Sequence, residues 1–339
     1  MDHKVDEMVK ISSYYFFIRA VNHYLISNHL ENELFIRDRV EGVETYRKAI
    51  LAENFDDIVT KSGVDKEFIR EFAESYNKEM NAILIFSEKE ISSATGIELF
   101  NLAMITGKLG KTANGLISLK EKNNAQGIFD MGITPVIGTG GISVDDLSLI
   151  TRLMEKWNVS TLPEAVNEPV EDKLKHGLTK NLFIFGEDPI GCAIDKKPQE
   201  EMIGKAGFVM VQDYFMTETA AMADLVMPAS FPAETGGSYT NTQKVIQEFE
   251  PSMNCKTGLS NIDQLNGMLK GFGFNDLSTP KSVFLEIISL LPKSAGHDDT
   301  NRPVMKLHIT AEDDVNCIFN YGCDVVVKYF EEEFEKNMK

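Results

Sequence analysis

Five residues in the middle of the chain, Gly186, Asp188, Gln212, Asp213 and Ser230, have the types and spacing to hold a nucleotide-like ligand. A carboxylate can accept two hydrogen bonds at once, from the N1–H and exocyclic amine of guanine or from ribose hydroxyls. A carboxamide offers donor and acceptor together, a hydroxyl suits a phosphate, and glycine lets the backbone approach closely. Each of the five follows a short apolar run. Leu182–Phe185 leads into Gly186-Glu-Asp-Pro189, Phe208–Val211 into Gln212-Asp213, and Leu225–Met227 into Pro228-Ala-Ser230. Such runs read as strands buried in a parallel sheet, and Thr217-Glu-Thr-Ala-Ala-Met-Ala223 reads as the crossover between the last two. Units of this kind are right-handed and parallel, so their carboxyl ends share the edge where open α/β sheets bind ligands. Asp and Ser at strand ends also cap helices and turns without any ligand, so residue type alone leaves both roles open.

Other chemistry is sparse. The sequence has no P-loop, nucleophile elbow, His-Glu-x-x-His or complete glycine dinucleotide fingerprint, and Gly138-Thr-Gly-Gly141 reads as a flexible turn ahead of a phosphate cradle. The four cysteines, Cys192, Cys255, Cys317 and Cys323, form no C-x-x-C pair of the kind iron–sulfur clusters favour, and read as buried thiols. Cys317, Cys323 and His308 make no recognisable metal-ligand set. A formal charge of −18 argues against nucleic acid, which needs clustered Lys and Arg. With 43% hydrophobic and 25% charged residues and no uncharged apolar window long enough to cross a bilayer, the chain reads as a soluble globular protein with no membrane insertion. Its charged start, Met1-Asp-His-Lys-Val-Asp-Glu, lacks a signal-peptide core, so a cytoplasmic location is expected.

The elements that must position the candidate residues follow from periodicity. Residues 1–80 read as a helical segment packing on the core, with an apolar face in Tyr15–Ile26, further helices over Val43–Ala52 and Lys66–Asn77, a break at Ser62-Gly63, and a connecting turn over Phe35–Val43. Residues 81–250 form the α/β domain. It opens with a strand at Ala82–Phe86 and a helix that Ser92 or Ser93 caps and Gly107 ends. A long aperiodic stretch over Gly107–Gly141 reads as functional or as part of an interface, and a helix is expected over Val144–Trp157. Residues 251–339 make a small α+β appendage with a helix over Lys281–Leu291, an alternating strand over Val304–Ile309 and a charged terminal helix over Asp324–Met338. The expected fold class is therefore α/β, an open and mainly parallel sheet flanked by helices.

Several long motifs in order carry a family resemblance: Ile105-Thr-Gly-Lys-Leu-Gly-Lys111, Asn123-Asn-Ala-Gln-Gly127 with Asp130-Met-Gly132, Gly186-Glu-Asp-Pro189, and Val211–Ser230 running on to Thr240-Asn-Thr242. From about Ile18 to Gln247 the chain resembles the second half of the formate dehydrogenase-type molybdopterin oxidoreductases, and the related large subunit of NADH:quinone oxidoreductase. The resemblance implies that Gly186, Asp188, Gln212, Asp213 and Ser230 match one half of a pterin–guanine dinucleotide site. It also marks departures. The family's N-terminal cysteine cluster, the domain bearing the metal-ligating residue and the C-terminal barrel-like domain have no counterpart. Lys120-Glu-Lys122 stands where formate dehydrogenases carry a substrate-holding Arg, and Lys244-Val245 replaces a usual pair of arginines.

These departures imply a non-catalytic scaffold or assembly subunit of an NAD- or ferredoxin-linked redox complex, whose partners carry flavin and iron–sulfur clusters. No catalytic residue, metal ligand or cofactor is then expected in this chain, and the five strand-end residues become a remnant. The alternative is one polypeptide of a split molybdenum or tungsten enzyme, with molybdopterin guanine dinucleotide shared with a partner.

Overall fold

The computed structural model describes residues 8–311 apart from 112, 121, 134–137, 140–141, 163–169, 243–244, 274–277, 291–304 and 308. The described residues divide into two compact units. The first takes residues 8–126, 241–245 and the described part of 293–329, and the second takes 127–240 and 246–292.

In the first unit, polar caps start each helix and apolar stripes close them on one another. Ser13 accepts a hydrogen bond from the Phe16 N–H to open α1 (Tyr14–Ser27), which buries Phe17, Ile18, Val21 and Leu25 along one side. Asn32 caps α2 (Glu33–Arg39) by accepting from the Phe35 N–H at 3.0 Å. Phe35–Val43 is therefore mostly helix rather than a connecting turn: the cap, an acidic first turn and two basic residues in the last outweigh the break in its apolar stripe. The chain continues through β1 (Val40–Glu41), α3 (Val43–Leu51), α4 (Phe55–Ser62) and α5 (Lys66–Lys78), all but β1 packing on α1. The break at Ser62-Gly63 is real. Gly63 has φ +72°, and a Cβ there would lie 2.1 Å from the Ser12 hydroxyl.

β2 (Ile83–Ser87) and α6 (Ser93–Ile105) follow, the helix capped by the Ser92 hydroxyl and ended by Thr106 with Gly107 in the left-handed region. The next strand, β3 (Gly115–Leu119), pairs parallel with β2 from Ile83↔Gly115 to Ser87↔Leu119. With α7 (Ala125–Asp130), it gives regular structure to part of the stretch that reads as aperiodic in sequence. Leu84 and Phe86 of β2 face the helical core, whereas Ile83 and Ile85 on the other face are exposed, Ile85 by 62%.

Helices close on a buried polar cluster as well as on apolar side chains. Glu98 of α6 is fully buried and accepts from Arg19 Nη1 at 2.5 Å, Asn22 Nδ2 at 2.9 Å and the Tyr46 hydroxyl at 2.6 Å. Arg19 also pairs with Glu53. Burial disfavours the Arg19 cation, but Glu98 and Glu53 overcome it and raise its proton affinity above the usual arginine value. A buried ion pair whose members are also hydrogen-bonded avoids the cost of an uncompensated buried charge.

In the second unit, α8 (Leu147–Trp157) and α9 (Val170–Lys175) precede β4 (Asn181–Phe185). Then come α10 (Lys196–Ile203), β5 (Phe208–Asp213), α11 (Glu218–Met222) and β6 (Leu225–Pro228). The three strands form a parallel sheet in the order β4-β5-β6, with Phe185↔Gln212 and Asp213↔Pro228 in register. Leu182, Ile184, Val209, Val211 and Val226 share one face and pack with Ile190, Ile203 and Ala220. Phe183 and Phe185 point the other way and are about half exposed. A short helix α12 (Pro232–Thr235), an antiparallel pair β7 (Gly237–Thr240) and β8 (Ile246–Phe249), and helices α13 (Asn261–Gly271) and α14 (Pro280–Leu290) complete this unit.

Beyond it, β9 (Met305–Lys306) belongs to the first unit and pairs parallel with β1, so the alternating strand expected over Val304–Ile309 is far shorter in the described residues. The fold is thus α/β with helix-flanked parallel strands, although among the described residues these fall into two pairs and a trio rather than one sheet. The terminal helix expected over Asp324–Met338 lies outside the described residues, as do His308, Cys317, Cys323 and Lys244.

Candidate functional site

The carboxyl ends of β4, β5 and β6 fall on one edge, as parallel pairing requires. Gly186 ends β4 with φ +64°, and its N–H donates to the Gln212 carbonyl at 2.9 Å. Two residues on, Asp188 Oδ1 accepts from the Gly191 N–H at 3.0 Å, the Thr219 N–H at 3.0 Å and the Thr219 hydroxyl at 2.6 Å. Burial opposes ionisation of this carboxyl. The Thr219 hydroxyl and the surrounding N–H groups outweigh it and hold the group below the usual carboxylate range. Thr219 in turn accepts from the Ile190 N–H at 3.1 Å, so the turn after β4 and the start of α11 are bolted together through one carboxylate.

Two of the other three candidates, Gln212 and Ser230, engage the segment Cys255–Gln264 that runs into α13. Gln212 is 4% exposed, and its Nε2 donates to Gln264 Oε1 at 2.9 Å. Gln264 Nε2 reaches the Pro228 carbonyl at 2.8 Å and the Leu259 carbonyl at 3.1 Å. Asp213 accepts from the Phe215 N–H at 3.2 Å, an Asx-type turn at the strand end. Ser230 is 1% exposed, its hydroxyl lying 3.1 Å from Cys255 Sγ and 3.3 Å from Thr257 Oγ1. Asn261 clasps the Ser230 backbone from both sides, accepting from its N–H at 2.6 Å and donating to its carbonyl at 3.2 Å. Ser230 and Thr257 together pull the Cys255 thiol below its ordinary value, and neither described cysteine is buried as expected: Cys255 is half-buried and Cys192 exposed, each lying in a loop beyond a strand end.

The structure therefore gathers Gln212 and Ser230 around one intrachain plug, Cys255–Gln264, and places Asp188 in a separate bolt with Thr219. Gln264, Asn261, Thr219 and Cys255 are the partners that residue-by-residue reading of the sequence does not single out. One signal was available: Ser260-x-x-Asp263 is a capping box, confirmed by Ser260 N–H to Asp263 at 3.1 Å and Asp263 N–H to Ser260 at 3.2 Å.

In the first unit, Lys120, the first residue of the Lys120-Glu-Lys122 stretch that the resemblance sets against the formate dehydrogenase arginine, forms an ion pair with Glu88, and Glu88 also takes the Ser118 hydroxyl. Among the described residues, no group of three or more His, Cys, Asp or Glu side chains is placed to hold a metal ion, and no helix is long and apolar enough to cross a membrane.

Parallel strands with helices between them and polar side chains gathered at their carboxyl ends define an open α/β fold. The molybdopterin oxidoreductase family model matches residues 19–259, and the chain belongs to that family. It is 31% identical over 290 residues to the F420-dependent formate dehydrogenase subunit alpha of Methanocaldococcus jannaschii, a match covering 82% of this chain and 42% of the relative. It is 29% identical to formate dehydrogenase H of Escherichia coli, covering 73% of this chain and 36% of that one. The chain thus spans about two fifths of the length of these relatives. Among solved structures, acetylene hydratase from Pelobacter acetylenicus shares the fold with a TM-score of 0.58 at 14% identity, over 78% of this chain and 40% of that one.

Proposed function

We propose that this chain is a non-catalytic member of the molybdopterin oxidoreductase family that serves as a scaffold or assembly subunit of an NAD- or ferredoxin-linked redox complex. The observation that carries this reading is where the candidate polar groups spend their hydrogen bonds. Gln212 and Ser230 are buried against Gln264, Cys255 and Thr257, and one Asp188 oxygen holds three donors of its own unit. A guanine dinucleotide needs such groups turned outward, so Asp188, Gln212 and Ser230 as arranged do not fit it, and the strand-end set is best read as a remnant with a structural task. The Lys120–Glu88 pair supports the same reading, because a cation already neutralised by a carboxylate is a poor clamp for a small anionic substrate. Relatives named as alpha subunits of formate dehydrogenases support membership of a multi-subunit assembly, and the reading places flavin and iron–sulfur clusters on the partner chains.

Metal analysis of the complex purified through a tag on this chain is the test. Molybdenum, tungsten and extractable pterin are expected well below one per chain, with electron-transfer activity retained. Stoichiometric metal and pterin would overturn the proposal in favour of a split molybdenum or tungsten enzyme that uses this chain for half of its dinucleotide site.

A further inference from the structure

The first unit holds a cavity that the strand-end set does not use. It encloses about 210 Å³ and runs along α2, between Phe35, Asp38 and Arg39 of that helix and the loop Leu109-Gly110-Lys111 beyond α6. That loop is the end of the Ile105–Lys111 motif, to which the strand-end residues give no task.

The charged groups of the lining are unequal. Asp38, its one carboxylate, accepts from Arg37 Nε at 2.8 Å, and Lys111 makes no ion pair with the described residues. Arg39 carries its guanidinium over the Phe35 ring, 5.8 Å from the centroid, which restrains the group through its face rather than its N–H donors. Nη2 of the same guanidinium lies 3.8 Å from the point where a side chain on Gly110 would begin. Gly110 has φ +68°, so the loop turns there through the left-handed region, and any other residue would set a strained Cβ in contact with the cation. The backbone N–H groups of Leu109, Gly110 and Lys111 donate to no described residue. Successive N–H groups around a left-handed residue make a concavity that attracts anions.

In a chain of net charge −18, this cavity is thus cationic once Asp38 is set against Arg37, and Phe35 and Leu109 give it an apolar wall. It is smaller than the roughly 300–1,000 Å³ of sites that take drug-sized ligands. We infer that it binds a small organic carboxylate, whose charged end meets Arg39, Lys111 and the loop N–H groups and whose short apolar body lies against Phe35 and Leu109. The planar fork of arginine matches a carboxylate. Inorganic phosphate would satisfy the cations but leave the apolar wall against water, which disfavours it. The inference stands apart from the proposed function, since it concerns the first unit alone and invokes no redox partner.

Isobutyrate titrated into the full chain at constant ionic strength tests it, read from the amide resonances of Leu109, Gly110 and Lys111. Isobutyramide serves as the uncharged twin, and inorganic phosphate as the anion without an apolar body. Isobutyrate is expected to shift the three amides saturably, about tenfold more tightly than isobutyramide and more tightly than phosphate. Arg39→Lys keeps the charge but loses the fork, and should weaken isobutyrate by about tenfold. Lys111→Gln alters an exposed side chain, and should weaken it about two- to fivefold with the melting temperature unchanged, which keeps the test decisive if Arg39→Lys disturbs folding. Shifts that fail to saturate, that isobutyramide reproduces, or that persist at full affinity in Lys111→Gln would overturn the inference. Tighter binding of phosphate would overturn the carboxylate class.

Discussion

The two units treat buried polar groups in opposite ways. In the first, a full ion pair sits inside a helical core: Arg19 and Glu98 are almost wholly buried, with Asn22, Tyr46 and Thr310 filling the remaining hydrogen-bonding positions. In the second, an apolar cluster packs behind the sheet, and polar groups lie at its margin, where Gln212, Ser230 and Asp188 tie strand ends to neighbouring turns. Removing one member of a buried charge pair strands the other in a medium that cannot solvate it, whereas removing a marginal hydrogen bond lets water or a small backbone shift compensate. The first arrangement is all-or-none, and the second is graded.

The sharpest way to break that contrast is Arg19→Ala, which leaves Glu98 buried without its cation. A loss of about 3–5 kcal/mol in urea unfolding of the first unit is expected, and a loss under about 1 kcal/mol would show that the ion pair is already hydrated and the contrast false. The counterpart at the strand ends is Thr219→Val. It strips Asp188 of its shortest hydrogen bond and the Ile190 N–H of its acceptor, at an expected cost of about 1–3 kcal/mol confined to the second unit. A cost matching that of Arg19→Ala would place the Asp188 bolt in the all-or-none class.

The smallest effect sharpens the picture of the first unit. Burial beside Phe55 lowers the proton affinity of His23 below the usual imidazole value. Between the two values the unfolded chain takes up a proton that the folded chain refuses, so stability falls as pH drops below about 6.5. Thermal melts between pH 7.5 and 5.5 should show this slope, and His23→Gln should flatten it. An unchanged slope in the variant would assign the pH dependence to other groups.

Much of this architecture is legible in the chain because local physics settles it. Leu182–Phe185, Phe208–Val211 and Leu225–Met227 read as strands and are strands, and of Ser92 and Ser93, either of which is expected to cap a helix, Ser92 does. The break expected at Ser62-Gly63 is the end of α4, a helix not expected from the sequence. What escapes local reading depends on distant partners. Gln264 meets Gln212 across 52 positions and Glu98 meets Arg19 across 79, distances over which periodicity carries no information. Burial of a charge is equally silent in local sequence: nothing beside Arg19 or Glu98 in the chain marks them as the 1% and 0% exposed members of an ion pair. β3 was hidden for a related reason: Gly-Leu-Ile-Ser-Leu becomes a strand only because β2 offers it a ladder. The site residues were visible by type and position. Whether they faced outward or inward turned on Cys255–Gln264, whose composition of Asn, Gly and Ser resembles a loop until its capping box is weighed.

The return of the chain to its first unit has a consequence for synthesis. Glu98 receives its last donor from Thr310, 212 positions later. At translation rates of about 5–20 residues per second, that gap amounts to roughly ten to forty seconds. During that interval the second unit, continuous in sequence apart from 241–245 through its described part, can emerge and fold while the first still waits for its final hydrogen bond. The earlier-made unit is therefore the later one to be finished, and a nascent chain stalled before residue 305 would lack the strand that pairs with β1.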